Sequence, residues 1–259
     1  MLDAVERAAA ALSAGRRNVA LTGAGISTES GLPDFRSADG LWATVDPARE
    51  ASLSAFQRDP AAFYEFYRTR LSSLAGAVPN AGHRALARLE AMGVLRLIVT
   101  QNVDGLHQQA GSREVVEVHG KLRECRCAGC GAVRPIGEMT SRLEAGTDPR
   151  CGTCDGLLRP NVVLFEELLP ITAYERAEAA CRECDVLLVV GSSLEVYPVA
   201  GLPELAVHSG ARLVIVNRDP TPCDPLADVV VSGNAGTVLP AIADAASRSS
   251  HHAREEAPR

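Results

Sequence analysis

Six short runs of aliphatic and β-branched residues, most of them separated by helical patterns, constrain the fold of this chain more than any other feature. Several of these runs are continuously apolar, which is typical of strands covered on both faces of a sheet. Their alternation with helices predicts an α/β fold with a parallel sheet. The predicted strands span residues 18–22, 95–100, 114–118, 186–191, 212–217 and 228–232.

Two segments interrupt this alternation. Residues 37–79 carry a helical, aromatic-rich pattern, and residues 121–158 carry four cysteines and little else that could form a core. We expect both to be insertions that pack together as a smaller, helical plus zinc-binding lobe. The main domain would cover residues 1–247, with the sheet built from about 1–36, 80–120 and 159–247. The polar end at 248–259 is predicted to be a disordered tail.

Bulk properties exclude several classes of function. The formal net charge of −6 over 259 residues argues against a nucleic-acid-binding surface. No apolar run approaches the roughly 18 residues that a membrane span needs, and the N-terminal stretch mixes acidic and basic residues as a folded helix does. We therefore expect a cytoplasmic monomer with neither a nucleic-acid nor a membrane partner.

The cysteine spacing predicts a metal site. Two C-x-x-C pairs are separated by 20 residues, which is the spacing of a zinc ribbon and fits a reducing compartment. Four thiolates close a tetrahedral shell around Zn²⁺, so this zinc would be structural and not catalytic. Cys125 is a competing thiol two residues upstream, and Cys181 with Cys184 is interpreted as core in preference to a redox dithiol. The predicted ligands are Cys127, Cys130, Cys151 and Cys154.

The stretch TGAGISTESGLPDFR, residues 22–36, opens like a dinucleotide-binding turn directly after the first strand. The dehydrogenase fingerprint G-x-G-x-x-G requires a third glycine at position 28, where this chain has Thr28. Gly23 and Gly25 still permit close approach of the backbone to a phosphate. The turn favours a dinucleotide site without ordinary hydride chemistry, and the alternative is a plain tight turn.

Polar residues follow the predicted strands at the edge where open α/β sheets bind their ligands. Gln101, Asn102 and Asp104 follow the second strand, and residues 191–193 and 217–219 follow two others. Capping of the next helices also explains some of these residues. The convergence of several polar strand ends favours a binding crevice.

Among six histidines, His119 is the candidate general base. It follows the third predicted strand, directly before Gly120, at the mouth of the expected crevice. A neutral imidazole at that place would accept a proton near pH 7. His83 and His208 are interpreted as structural, and His107 as packed in the core.

A succession of motifs carries a family resemblance. GAGISTESGLPDFRSADGLW, TQNVDGLH, VHG, the four-cysteine insertion, GSSLEVYP and VNRD occur in this order between about residues 18 and 239. This succession resembles the sirtuins, a family of NAD-dependent protein deacylases. The resemblance implies a Rossmann-like sheet that binds NAD as a consumed substrate, with a mobile cofactor-binding loop after Gly25. The implied products are nicotinamide, free lysine and 2′-O-acyl-ADP-ribose.

The resemblance also implies roles for individual residues. His119 would act as general base on the ribose hydroxyls, while Asn102 and Asp104 would hold the carboxamide and the ribose. The substrate peptide would lie as an added strand between residues 161–165 and 191–197, in contact with Val163, Phe165, Glu195 and Val196. The implied cofactor contacts are Gly23, Ala24, Gly25, Ile26, Ser27, Asp34, Phe35, Arg36, Trp42, Gln101, Asn102, Val103, Asp104, Gly191, Ser192, Ser193, Asn217, Arg218, Asp219 and Ala235.

Tyr67 and Arg70 stand three residues apart and so share one helical face. An arginine fork suits bidentate carboxylate binding, and a tyrosine hydroxyl adds a third donor. The pair resembles the Tyr-x-x-Arg signature of sirtuins that remove succinyl, malonyl and glutaryl groups, and Ala51 matches the small residue that leaves room for a longer acyl chain. The alternative is that Tyr67 packs while Arg70 meets a surface acid.

The resemblance thus implies an NAD-dependent protein-lysine deacylase that removes succinyl and malonyl groups and also acetyl groups. The alternatives are a general lysine deacetylase, a protein mono-ADP-ribosyltransferase on the same fold and a non-catalytic scaffold. The complete set of Asn102, Asp104 and His119 argues against the scaffold. Two residues depart from the family pattern: Glu166 replaces a glycine, and Ala235 replaces a cysteine near the adenine.

Overall fold

The computed structural model describes residues 2–35, 37, 40–43 and 45–255. The strands are β1 (Asn18–Thr22), β2 (Leu97–Thr100), β3 (Val115–Glu117), β4 (Gly120–Cys127), β5 (Val133–Pro135), β6 (Leu158–Val162), β7 (Val186–Val190), β8 (Arg212–Asn217) and β9 (Val229–Ser232). The helices are α1 (Leu2–Ala14), α2 (Pro47–Glu50), α3 (Leu53–Arg58), α4 (Pro60–Ala75), α5 (Ala81–Ala91), α6 (Leu106–Gln109), α7 (Gly137–Glu144), α8 (Ile171–Glu183), α9 (Leu202–His208) and α10 (Ala235–Glu255).

Six strands form one parallel sheet in the order β3-β2-β1-β7-β8-β9, which confirms the predicted Rossmann-like α/β fold. The strand order reverses direction between β1 and β7, since the chain leaves β1 toward one edge and β7 toward the other. In open α/β sheets such a switch point opens a crevice at the carboxyl ends of the strands. The turn after β1 and the loop after β7 therefore flank the expected binding crevice.

Helices cover both faces of the sheet, which explains why the middle of its strands is apolar. Successive side chains of a strand point to opposite faces. Leu188 and its neighbours in register, Ala20 and Val214, pack beneath α1, α5 and α10. Leu187, one residue earlier, packs with Leu213 beneath α8 and α9. The inner strands must therefore supply apolar side chains to both faces over most of their length.

The two insertions pack against each other as a second lobe. Strands β4, β5 and β6 form an antiparallel sheet in the order β5-β4-β6. Phe63, Tyr64 and Tyr67 of α4 share a buried cluster with Leu158 of β6. The Tyr64 hydroxyl also donates a hydrogen bond to the Leu158 carbonyl oxygen at 2.8 Å. The aromatic pattern of the first insertion is therefore the core of this lobe, whose outer boundaries stay predictions.

The end of the chain differs from its prediction as a disordered tail. Helix α10 continues to Glu255, well beyond the expected limit at residue 247, and residues 256–259 lie outside the described part. Residues 248–255 contain neither glycine nor proline, while their arginines and glutamate favour helix, so nothing local ends the last helix.

No helix among the described residues combines the length and apolar character of a membrane span.

Candidate active site

Two glycine-containing loops cross at the switch point and form the floor of the crevice. A side chain on Gly25 would place its Cβ 2.8 Å from the Gly191 Cα, which no real contact allows. Gly191 itself adopts a left-handed φ of 58°. After Gly23 the chain forms a short 3₁₀-helix over Ala24–Ser30 and not a dehydrogenase-type α-helix. Glycine at position 28 is therefore not required, and the Thr28 hydroxyl donates to the Gly25 carbonyl oxygen at 3.0 Å.

A cavity of about 870 Å³ lies above this floor and extends between the two lobes. This volume is in the range of small-molecule sites. Ile26, Ser27 and Asp104 lie outside its lining, Arg36 lies outside the described residues, and the side chain of Trp42 is not described. The predicted residues that the cavity brings together are Gly23, Ala24, Gly25, Asp34, Phe35, Ala51, Tyr67, Arg70, Gln101, Asn102, Val103, His119, Val163, Phe165, Gly191, Ser192, Ser193, Glu195, Val196, Asn217, Arg218, Asp219 and Ala235.

Ser27 organises the polar residues beneath the cavity. Its hydroxyl donates to Asp104 Oδ2 at 2.8 Å and accepts a hydrogen bond from Asn102 Nδ2 at 3.1 Å. Asn102 Nδ2 also donates to the Gly23 carbonyl oxygen at 3.1 Å. Burial raises the pKa of Asp104, an effect that hydrogen bonds from Leu106 and Ser27 oppose. Asn102 and Asp104 are therefore held in one orientation relative to the glycine turn.

His119 is oriented by a backbone hydrogen bond. Its Nδ1 lies 3.1 Å from the carbonyl oxygen of Gln101. Because a carbonyl only accepts, Nδ1 must carry the proton, which leaves the Nε2 lone pair available as a base. Burial lowers the pKa of His119, although the hydrogen bond to Gln101 partly opposes this. The imidazole is therefore neutral at pH 7 and suited to accept a proton.

Because the pKa of His119 is lowered, we can predict how kcat/KM depends on pH. A base is active when deprotonated, so activity should be lost only as the pH falls through its pKa. We expect kcat/KM to stay constant from pH 8 down to about pH 6.5, the ordinary histidine value, and to decline only at lower pH. A pH–rate profile with an acylated peptide and NAD checks this. An acidic limb centred above pH 7 would contradict it.

Two further histidines, which the sequence analysis interpreted as structural, lie directly beneath the site. His83 Nε2 is 3.4 Å from the Ser27 hydroxyl, and its Nδ1 accepts a hydrogen bond from the Asn80 amide at the start of α5. His107 Nε2 lies 2.9 Å from the Thr22 hydroxyl. Burial lowers the pKa of His83 to about 4 and that of His107 to about 3. Both remain neutral. His83 contacts Ser27 directly, whereas the His107 ring packs against the His83 ring at 5.0 Å between centroids. Only the position of His83 in the first turn of a helix was visible in the sequence.

The small-lobe wall of the cavity carries Tyr67, Arg70 and Ala51. The Arg70 guanidinium stacks over the Phe35 ring at 5.3 Å from its centroid, and it forms neither a hydrogen bond nor an ion pair with any residue the structure describes. Tyr67 is buried, and burial raises the pKa of its hydroxyl, which therefore stays a neutral donor. This hydroxyl likewise has no hydrogen-bond partner within the described chain. Arg70 thus meets no surface acid, contrary to the alternative interpretation.

The opposite end of the cavity is polar and suits a nucleotide. Gln101 Nε2 donates to the Ser192 hydroxyl at 2.9 Å and so links the loops after β2 and β7. Asn217 Nδ2 donates to the Asp219 carbonyl oxygen at 2.7 Å. Asp34 lies 3.9 Å from the Arg218 guanidinium across the cavity. These contacts order the strand-end loops that would hold the two halves of a dinucleotide.

The four predicted zinc ligands converge at the edge of the small lobe. Their sulfur atoms all lie within 4.8 Å of one another, with 3.4 Å between Cys127 and Cys154 and 3.8 Å between Cys130 and Cys151. Tetrahedral Zn–S bonds of about 2.3 Å would separate the sulfurs by about 3.8 Å, so the cluster fits zinc. Cys125 is not part of it, because its thiol donates to the Pro135 carbonyl oxygen.

Loss of this metal should destabilise the small lobe. We expect Cys127→Ser and Cys151→Ser to reduce the zinc content from one ion per chain to near zero, and to lower Tm by about 10 °C or more. Elemental analysis and thermal unfolding measure both effects. Cys181→Ala and Cys184→Ala are matched controls that should retain zinc, since both thiols lie in the main core. Retention of zinc by the Cys127 variant would contradict the assignment.

Comparisons with known proteins agree with this geometry. A model of the Sir2 family matches residues 23–198. The chain is 46% identical over 250 residues to NAD-dependent protein deacylase 2 of Archaeoglobus fulgidus, a match covering 96% of this chain and 98% of that protein. A solved structure from work on the mechanism and regulation of Sir2 enzymes superimposes with a TM-score of 0.88 at 44% identity, covering 96% of this chain and 100% of that one. Another, Sir2Af2 bound to a myristoylated histone peptide, gives a TM-score of 0.81 at 38% identity and covers 97% and 100%. The sirtuin resemblance is therefore confirmed, and the chain belongs to the Sir2 family.

Proposed function

We propose that this protein is an NAD-dependent protein-lysine deacylase that prefers acyl groups ending in a carboxylate, such as succinyl and malonyl, and also accepts acetyl. The observation that carries the preference is Arg70. It lines the same cavity as His119, and it forms no ion pair with a described carboxylate, although the Asp104 carboxylate lies near enough to raise its pKa. A partly buried guanidinium without a hydrogen-bonded counter-ion is costly, and an acidic substrate group that contacted it directly would relieve that cost.

Relatives support the deacylase activity itself. The Archaeoglobus fulgidus relative is named an NAD-dependent protein deacylase, and a solved relative binds a myristoylated peptide. The latter shows that this fold accommodates acyl groups longer than acetyl. In this protein, Ala51 lines the small-lobe wall of the cavity. Its small side chain leaves room for an acyl group of intermediate length.

The cavity residues would divide the chemistry between its two ends. NAD supplies an electrophilic ribose carbon when nicotinamide leaves, and an amide oxygen of the substrate can capture that carbon. Asn102 and Asp104, fixed through Ser27, would orient the ribose and the carboxamide. His119 Nε2 would accept a proton from a ribose hydroxyl, because Gln101 holds the proton on Nδ1. Positioning and one proton acceptor are thus the protein's contribution.

Recognition of the acyl end would rest on Arg70 and Tyr67. Burial lowers the pKa of Arg70, while electrostatic interactions with the Tyr67 hydroxyl and the Asp104 carboxylate oppose that change, so the guanidinium stays protonated. Its cation–π contact with the Phe35 ring, 5.3 Å from the centroid, helps to hold the guanidinium in the cavity wall. A carboxylate would receive charge-assisted hydrogen bonds from Arg70 and a neutral one from the Tyr67 hydroxyl. An acetyl group would leave both donors without an acceptor.

Product analysis tests the proposed reaction class. The protein is incubated with NAD and a peptide carrying succinyl-lysine, and mass spectrometry follows the peptide, nicotinamide and acylated ADP-ribose. We expect equal amounts of nicotinamide, deacylated peptide and O-acyl-ADP-ribose. Nicotinamide release that accompanies ADP-ribose attached to protein, without loss of the acyl group, would instead establish a mono-ADP-ribosyltransferase. The cytoplasmic location and monomeric state stay predictions.

A further inference from the structure

Glu166 stands at a position where the sirtuin resemblance implies glycine, and its backbone adopts a left-handed φ of 76°. Glycine reaches this region without steric cost, whereas a side chain meets the following carbonyl oxygen. A residue other than glycine persists there only when the surrounding structure holds it. We therefore expect specific contacts to hold Glu166 in this conformation, whereas a glycine would need none.

The carboxylate of Glu166 is held by the first turn of α3. One oxygen accepts the Ser54 backbone N–H and the other accepts the Ser54 hydroxyl, each at 2.9 Å. Backbone N–H groups in a first helical turn lack partners within the helix and favour a negative charge. The neighbouring Phe165 is tied to the same segment, since its N–H donates to Ala51 at 3.0 Å and its carbonyl accepts from Leu53 at 3.1 Å.

The backbone of Glu166 is left available by this arrangement. Its N–H and C=O form no hydrogen bond with any residue in the described part of the chain, and Glu166 lines the cavity. The peptide strand of the proposed function would add at this place. An unpaired edge N–H and C=O are the groups that an added strand uses. The Glu166 carboxylate is thus bound by Ser54, while the backbone N–H and C=O of Glu166 stay available to hydrogen-bond a substrate peptide.

We propose that Glu166 is a positioning residue for the substrate peptide. The hydrogen bonds from Ser54 hold residue 166 in the left-handed conformation at which the peptide main chain docks, and so replace the freedom that glycine has in relatives. The proposal rests on the proposed deacylase function, since it needs an acylated peptide in this cleft. It is independent of acyl recognition, because it concerns main-chain contacts alone.

Three substitutions at Glu166 test this role through the peptide KM. We expect Glu166→Ala to raise KM most, by about tenfold, because alanine has neither the carboxylate nor glycine's tolerance of positive φ. Glu166→Gly should raise it about threefold, since glycine reaches the conformation but is not held in it. Glu166→Gln keeps one acceptor and should have the smallest effect. The change in kcat and in the KM for NAD should stay small beside that in peptide KM.

Substitution of Ser54 tests the positioning role of Glu166 independently. Ser54→Ala removes the hydroxyl but not the backbone N–H, so it should raise the peptide KM about twofold to threefold in the parent protein. In the Glu166→Gly background it should have no further effect, because the carboxylate is already absent. Ser141→Ala, a hydroxyl on α7 away from the cavity, is the control. Thermal unfolding of each variant establishes that it is folded.

The order of the three variants decides the proposal. Equal effects of Gln, Gly and Ala that weaken with salt would show that Glu166 acts by its charge, and unchanged KM values would show that it has no role; both overturn the proposal. Acetyl-lysine and succinyl-lysine peptides of one sequence should give the same order, even if the acyl preference proves wrong. If neither peptide is turned over, the deacylase proposal fails, and fluorescence-anisotropy binding of the same peptides tests Glu166 separately.

Discussion

Replacement of His119 by alanine is expected to reduce kcat/KM for every acyl-lysine peptide by about 10²–10⁴-fold, the usual contribution of a positioned general base. The Gln101 carbonyl holds the proton on Nδ1, so Nε2 is the acceptor that the variant loses. Steady-state kinetics with acetyl and succinyl peptides measure the loss. Binding of NAD, followed by calorimetry, should persist because the strand-end loops are unchanged.

His208→Ala is the matched control for His119. His208 is exposed, and its Nδ1 contacts only the Glu204 carbonyl of its own helix among the described residues. Its loss should therefore leave the kinetics unchanged. Retention of more than about a tenth of the activity by the His119 variant would show that another group accepts the proton.

Replacement of Arg70 by methionine is expected to lower kcat/KM for a succinyl-lysine peptide by about 100-fold and to change that for an acetyl-lysine peptide little. Removing one partner of a desolvated, hydrogen-bonded charge pair has effects of this size. Methionine keeps much of the apolar stem that packs in the lobe, so the change is confined to the charge. The ratio of the two kcat/KM values, parent against variant, is the quantity measured.

Arg68→Met controls for the general effect of removing a cation from α4. Arg68 is exposed and pairs with Glu65 at 3.1 Å, one turn along the same helix. It should leave both peptides unaffected, since exposed pairs of this kind contribute little. If Arg70→Met lowered both peptides equally, Arg70 would serve the lobe's structure and not the acyl group.

Local patterns in the sequence were sufficient to predict the sheet. Its inner strands are apolar over most of their length because both faces of the sheet are covered, and such a run can be recognised in each strand alone. The zinc ligands were equally local, since each C-x-x-C turn places two thiols together. The extension of α10 to Glu255 was not predicted. The polar composition of this end suggested disorder, and it does not show that a preceding helix continues into it.

The candidate site was predictable where spacing defines it and not where partners are distant in sequence. The three-residue spacing of Tyr67 and Arg70 placed them on one face, but only the fold shows that Arg70 forms no ion pair with a described carboxylate. Contact between His83 and Ser27 joins residues 56 positions apart. The departure at Glu166 was visible in the sequence, whereas its hydrogen bonds to Ser54 cross 112 positions.

We propose that this cavity recognises a carboxylate on the acyl group and not the length of that group. The most direct test compares succinyl-lysine with succinamoyl-lysine in one peptide sequence, because the terminal amide keeps the shape and removes the charge. We predict that the parent protein with NAD shows a kcat/KM about 100-fold higher for the succinyl peptide. Equal kcat/KM values for the two peptides would contradict this proposal and would indicate a deacylase that selects acyl groups only by their length.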